Sequence, residues 1–238
     1  VGKSTLFNAL TRTAAAQAAN FPFCTIEPNV GEVAVPDARL EKIAAIAKSA
    51  NVIPARMTFV DIAGLVKGAS KGEGLGNQFL ANIREVDAIA HVLRCFEDDD
   101  VTHVDGRVDP VADAAIIETE LMLADIDSVE KRLQGIVRKV RGGDKEALAQ
   151  ERLLKDAMAA LEAGRPARTV AVDPEDRQAW RMLQLLTAKP VLYVCNVGEE
   201  EAATGNAHAQ AVAEMAEKEG AASVVISARI EEEIAQLD

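Results

Sequence analysis

The residues best suited to chemistry stand at the start of the sequence: Val1-Gly2-Lys3-Ser4-Thr5-Leu6-Phe7-Asn8. Gly2-Lys3-Ser4 followed by an apolar run is the second half of the phosphate-binding pattern G-x-x-x-x-G-K-[ST]. In such a loop the backbone N–H groups from Gly2 to Thr5 face a phosphate. Lys3 neutralises the β- and γ-phosphate oxygens, and the Ser4 hydroxyl is a ligand for Mg2+. The helix beginning here aims its positive end at the same anion. The first glycine of the pattern and the strand expected before it are not in the sequence, and Gly-Lys-Ser alone is a weak signal.

Later residues strengthen it. Phe21-Pro22-Phe23-Cys24-Thr25-Ile26-Glu27-Pro28 places a threonine in a loop bounded by prolines. Thr25 suits a switch segment whose hydroxyl completes the Mg2+ shell; an ordinary loop fits it equally well. Met57-Thr58-Phe59-Val60-Asp61-Ile62-Ala63-Gly64 reads as a buried strand running into D-x-x-G. Asp61 can hold a metal-bound water and the Gly64 N–H can contact the γ-phosphate, against the plainer reading of an Asp that caps a turn. Gly64, Gly68, Gly72, Gly74 and Gly76 then make a segment that cannot be cheaply rigid, as a nucleotide switch requires. Asn196-Val197-Gly198-Glu199 follows a buried strand, and Ser227-Ala228 follows the next.

That order is the order of a guanine-nucleotide-binding domain of the translation-factor type, with its fourth element altered. Such domains carry Asn-Lys-x-Asp, whose carboxylate accepts the guanine N1–H and 2-amino group. Here Val197 replaces Lys and Glu199 replaces Asp. A longer acid on a displaced loop weakens selection of guanine, while Asn196 can still pair with the N6/N7 edge of adenine. ATP is therefore expected over GTP. Leu65 stands where many such domains place a water-orienting Gln, so another group must orient the water. His103, in the polar loop after the strand Asp87–Phe96, is the catalytic candidate. The neighbouring run Glu97-Asp98-Asp99-Asp100 reads as solvated loop, and His91 as a core histidine.

The elements that must position these residues follow from periodicity. Helices are expected over Lys3–Ala19, Pro36–Ala50, Gln78–Val86, Pro174–Leu186, His208–Gly220 and Ile230–Leu237. Strands are expected over Val30–Val35, 57–61, 87–96, 190–196 and 223–226. Ile117, Leu121, Ala124, Val129, Leu133, Ile136 and Val140 step as one long helix face, and Ala147, Leu154, Met158 and Leu161 as a second. Together they form an antiparallel helical hairpin whose ~25-residue arms project about 35–40 Å. Arg138, Lys139, Arg141 and Lys145 cluster at its tip, as an RNA or ribosome contact or as a solvated turn. The fold class is α/β: a P-loop, mostly parallel sheet flanked by helices, with the hairpin inserted. Residues 1–114 and 187–238 are the nucleotide-binding part and 115–186 the insertion.

Composition agrees. The 238 residues are 49% hydrophobic but only 3% aromatic, which suits an aliphatic, helix-rich core with buried parallel strands. The net charge of -12 argues against broad nucleic-acid binding. Three cysteines far apart give no zinc spacing and suit a reducing, cytoplasmic compartment. No apolar run of about 18 residues is present, so no membrane span is expected.

The chain resembles the YchF / Obg-like ATPase family of P-loop proteins. The resemblance rests on Gly2 to Leu10, Asn20 to Asn29, Arg94-Cys95-Phe96-Glu97, Asn196 to Glu199 and above all the run Asp61-Ile-Ala-Gly-Leu-Val-Lys-Gly-Ala-Ser-Lys-Gly-Glu-Gly-Leu-Gly-Asn77. It implies slow ATP hydrolysis with weaker use of GTP, Mg2+ as cofactor, and a catalytic histidine in the loop of His103. It also implies association with the ribosome or its large subunit in translation or stress control. The partners expected are thus nucleotide and ribosome, with no membrane and no sequence-specific DNA. Family members carry a Gly-Leu-Pro-Asn run before Val1, whose Asn implies a K+ site, and a TGS domain after the end of this chain, so the sequence reads as truncated at both ends. A non-hydrolysing, nucleotide-sensing module acting through its hairpin is the alternative.

Overall fold

The computed structural model describes residues 1–12, 28–62, 75–98 and 107–237. They divide into two compact units, Val1–Ala63 with Ser227–Asp238, and Gly64–Ile226.

The first unit begins with helix α1, Lys3–Thr11. Strand β1, Asn29–Ala34, and strand β2, Arg56–Asp61, pair antiparallel, with Asn29 opposite Asp61 and Ala34 opposite Arg56. Helix α2, Ala38–Ala47, connects them, and helix α8, Ala228–Ala235, packs along α1. The ring of Phe7 is buried against β1 at Gly31, where an added Cβ would lie 3.2 Å from Phe7 Cζ and 2.3 Å from Thr11 Cγ2. This close approach requires glycine at position 31.

Three expectations are corrected here. The first helix, expected to run to Ala19, stops at Thr11, and Arg12 turns into the left-handed region at φ 51°. The second helix starts at Ala38 because the Asp37 carboxylate accepts the Arg39 N–H at 2.9 Å and caps it. Strand β2 is expected to be buried, yet Arg56, Met57 and Thr58 are exposed and only Asp61 is fully enclosed.

The second unit holds the parallel sheet. Helix α3, Leu75–Glu85, precedes strand β3, Ile89–Arg94. Helix α4, Pro110–Arg141, and helix α5, Lys145–Glu162, follow. After short 3-10 turns come helix α6, Arg177–Met182, strand β4, Val191–Asn196, helix α7, Ala207–Glu219, and strand β5, Ala222–Ile226. The strand order is β3-β4-β5, all parallel, with Leu93 opposite Cys195 and Cys195 opposite Val225. The sheet core gathers Leu93, Cys95, Tyr193, Cys195, Val197 and Val212. Cys95 and Cys195 are free thiols buried side by side. Their mutual hydrogen bond and burial push Cys95 up, so it stays protonated.

The hairpin forms as its stepping predicts. Val129 on α4 meets Leu153, Leu154, Ala157 and Leu161 on α5, and Trp180, Leu183 and Leu185 join the same core. Its third helix is shorter than expected: α6 ends at Met182, and Gln184 adopts φ 48°. The return path is pinned by buried Asp125, whose carboxylate accepts the N–H groups of Leu186 and Thr187 at 2.8 Å and the Thr187 hydroxyl at 2.7 Å. The Thr187 hydroxyl in turn accepts the Ala167 N–H at 3.0 Å. A second polar knot joins hairpin and sheet: Arg168 donates to Glu118 at 2.9 Å and to Glu219 at 3.0 Å, and the Tyr193 hydroxyl donates to Glu219 at 2.9 Å. Among the described residues no helix is long and apolar enough to cross a membrane.

Candidate functional site

The residues expected at the phosphates, Gly2 to Thr5 with Asp61, lie in the first unit. Gly2 caps α1 with φ 87°, a left-handed conformation that favours glycine, and its carbonyl accepts the Leu6 N–H at 2.9 Å. No acidic residue occupies the first turn of α1, so its N–H groups face no negative side chain of their own helix. From that turn Lys3 and Ser4 both reach the carboxylate of Asp61 at the end of β2. The Lys3 ammonium pairs with Oδ1, and the Ser4 hydroxyl donates to Oδ2 at 2.8 Å. The Asp61 side chain is fully enclosed, while that of Lys3 stays 36% exposed. Thr5 is half-buried on the same turn.

These three residues come together from parts of the sequence 57 and 58 residues apart. A hydroxyl and a carboxylate in contact are the hard oxygen donors that Mg2+ prefers, and the ammonium on Asp61 stands where positive charge is favoured. Asn29, opposite Asp61 across the strand pair, buries an amide nitrogen with no hydrogen-bond partner among the described residues. That donor suits a phosphate oxygen. The residues therefore fit the implied ion. Thr25, Gly64 and His103 lie outside the described residues. The implied K+ is assigned to no residue of this chain.

Of the residues expected at the base, Asn196, Val197 and Glu199 belong to the second unit. Asn196 closes β4 as a buried residue, and its carbonyl accepts the Cys95 N–H at 2.8 Å. Val197 is also buried, and its N–H donates to the Ile226 carbonyl at 2.9 Å. Glu199 is exposed and opens a 3-10 turn, Glu199–Glu201. Ser227 and Ala228 are buried at the start of α8 and belong to the first unit. That helix starts at Ala228, two residues before the expected Ile230.

The contacts of two residues here escape a reading of the sequence. Arg94, buried at the end of β3, donates to the carbonyls of Phe96 at 3.0 Å and Asp98 at 3.1 Å, and its guanidinium lies 5.1 Å from the Phe96 ring centre. A charged residue in an otherwise apolar strand is the available signal. Asn206 caps α7, its Oδ1 accepting the Ala209 N–H at 3.0 Å; an Asn just ahead of an alanine-rich helix is a recognisable cap. His91 lies in β3 with its ring centre 5.9 Å from that of Tyr193, and burial pushes it down to about 4. Among the described residues no group of three or more His, Cys, Asp or Glu could hold a metal.

Comparison with known proteins gives one consistent picture. The sequence pattern of the "50S ribosome-binding GTPase" family matches residues 1–139. The "Ribosome-binding ATPase YchF" of Haemophilus influenzae is 53% identical over 238 residues, covering 100% of this chain and 65% of that protein. The protein of the same name from Bacillus subtilis is 50% identical over 240 residues, with the same coverage. The chain thus spans about two-thirds of the length of these relatives. Among solved structures, the Schizosaccharomyces pombe YchF GTPase superposes with a TM-score of 0.78 at 36% identity, over 100% of this chain and 65% of that one. With its P-loop α/β fold and its helical hairpin, the chain belongs to the 50S ribosome-binding GTPase family, and within it to the YchF / Obg-like ATPases.

Proposed function

We propose that this chain is the nucleotide-binding part of a P-loop switch that binds and slowly hydrolyses ATP, uses GTP less well, and acts in the cytoplasm on the ribosome or its large subunit. The observation that carries the reading is the convergence of Lys3 and Ser4 on the Asp61 carboxylate. The ribosome enters from the names of the relatives. In this reading residues 1–114 and 187–238 handle nucleotide and the hairpin 115–186 is an inserted contact arm.

Lys3 and the N–H groups of Gly2 to Thr5 bind the β- and γ-phosphates. Ser4, Asp61 and Thr25 would hold Mg2+, directly or through water; when bound, the ion neutralises charge developing on the transferred phosphoryl group. The Gly64 N–H meets the γ-phosphate. Asn196 pairs with the adenine edge, Val197 and Glu199 disfavour guanine, and Ser227 and Ala228 complete the base end. Leu65 cannot bind a water, so His103 orients the attacking one and takes its proton.

Phosphate release from ATP and GTP, measured in parallel with and without ribosomes, tests this. The expected result is ATP turnover above GTP turnover, raised by ribosomes and lost in Lys3→Ala. Equal rates for the two nucleotides would remove the specificity claim. Leu65 also favours a second reading, a nucleotide sensor without hydrolysis; nucleotide binding with no phosphate release under any condition would establish it.

A further inference from the structure

Asn206 is not among the residues assigned to nucleotide above, yet its side chain ties together both ends of the Asn196–Glu199 stretch. Its Nδ2 donates to the Cys95 carbonyl at 2.6 Å and to Glu201 Oε2 at 2.8 Å, while its Oδ1 caps α7. The Cys95 N–H in turn donates to the Asn196 carbonyl at 2.8 Å. Asn196 is thus fixed through Cys95, and the turn that opens with Glu199 is fixed through Glu201. The Glu201 carboxylate also lies along Gly198, where an added Cβ would meet its Oε2 at 3.5 Å. Gly205, at φ 69°, donates its N–H to the Glu201 carbonyl at 2.7 Å and delivers the chain into Asn206.

Both donors and the acceptor of the amide are used. Asp, Ser and Thr cap helices as Asn does, but none offers two N–H donors beside the accepting oxygen. A residue needed only as a cap would not require those donors.

Resting on the nucleotide reading above, we infer that Asn206 is a positioning residue for base recognition. It sets the spacing of Asn196 and the Glu199 turn against a purine, and so governs how much the base adds to binding by the phosphates. Its place is behind the recognition stretch, with no role at the phosphate end.

The test compares ATP with inorganic tripolyphosphate, which has phosphates and no base, by calorimetric titration of the full chain. Asn206→Asp keeps the cap, deletes both donors and sets a carboxylate against that of Glu201. ATP affinity is expected to fall about tenfold, ~1.4 kcal/mol, with tripolyphosphate affinity unchanged. Asn206→Asp with Glu201→Gln restores one hydrogen bond with its direction reversed and removes the repulsion from Glu201, so part of the ATP affinity should return, while the lost bond to the Cys95 carbonyl keeps it below the wild type. Glu201→Ala leaves the cap of α7 untouched and guards against misfolding of the first variant; it should show the same selective loss at smaller size. Equal losses for both ligands, or no loss in Glu201→Ala, would make Asn206 a residue of the fold alone and overturn the inference. A wild-type chain that binds tripolyphosphate as tightly as ATP would overturn the base-end assignment, and one that binds neither would overturn the nucleotide reading itself.

Discussion

At the residue scale the proposed chemistry hangs on a few side chains that fail in distinguishable ways. His103→Ala is expected to lose single-turnover hydrolysis by roughly 100-fold, the usual weight of a positioned proton acceptor, while ATP affinity stays within a factor of about two. Unchanged single-turnover rates would end the assignment. His91 makes a different prediction, about stability. Its ordinary value near 6.5 drops to about 4 in the fold because burial disfavours the imidazolium. Between those values the unfolded chain binds more protons than the folded one. Stability therefore rises with pH across that window and is lost as pH falls through it. The full effect is at most about 3 kcal/mol. Urea midpoints measured at pH 7 and pH 4.5 should separate in the wild type and draw together in His91→Asn; parallel pH slopes in the two chains would contradict this.

At the element scale, the packing of α1 on β1 decides whether Lys3 and Ser4 can reach Asp61 at all. Gly31 lets α1 approach so closely that any Cβ there collides with Thr11 and crowds Phe7. Gly31→Ala should cost about 1–3 kcal/mol of stability, the range for overpacked contacts, and should weaken nucleotide binding as α1 shifts. Thr11→Ala in the same chain should recover part of both losses. Thermal midpoints of the three variants give the check. This close approach is not legible in the sequence, where Gly31 reads as one more residue of an alternating strand. The hairpin is legible, because Val129, Leu133, Ile136, Leu154 and Leu161 repeat at helical spacing and need only each other. Asn196 and Asp61 are legible as strand-end residues for a similar reason. The end of α1 at Arg12 and the break at Gln184 are not, since both are left-handed turns made by residues with no marked turn preference. The knots at Asp125 and Arg168 are hidden because their partners lie about 50 to 60 residues away.

At the scale of the whole molecule, one helix serves two tasks. Helix α4 packs against β3 near its start and forms the hairpin with α5 farther along, so a single rod of 32 residues, about 48 Å, belongs both to the parallel sheet and to the arm. At its far end Arg138, Lys139 and Arg141, with Lys145 just beyond, carry positive charge on a chain whose net charge is -12. If that tip meets ribosomal RNA, replacing all four by Ala should weaken ribosome association. It should also flatten its salt dependence by roughly one unit of log-log slope for each phosphate no longer neutralised. Sedimentation with ribosomes over a salt series would show this; an unaltered slope would assign the tip to solvent.

The pairing of Lys3 with Asp61 has a consequence for how nucleotide and ion arrive. The two charges already cancel one another, so under the proposed function loading would be an exchange of partners. Lys3 would give up a carboxylate for phosphate oxygens, and Asp61 would give up an ammonium to help hold the ion. Triphosphate alone would strand an enclosed carboxylate, and the ion alone would leave Lys3 without its partner. The two ligands should therefore bind with positive linkage, each raising the affinity of the other by the same factor. Titrating ATP with Mg2+ and with chelator should reveal that factor, and Asp61→Asn, which neutralises one side of the exchange, should shrink it toward one.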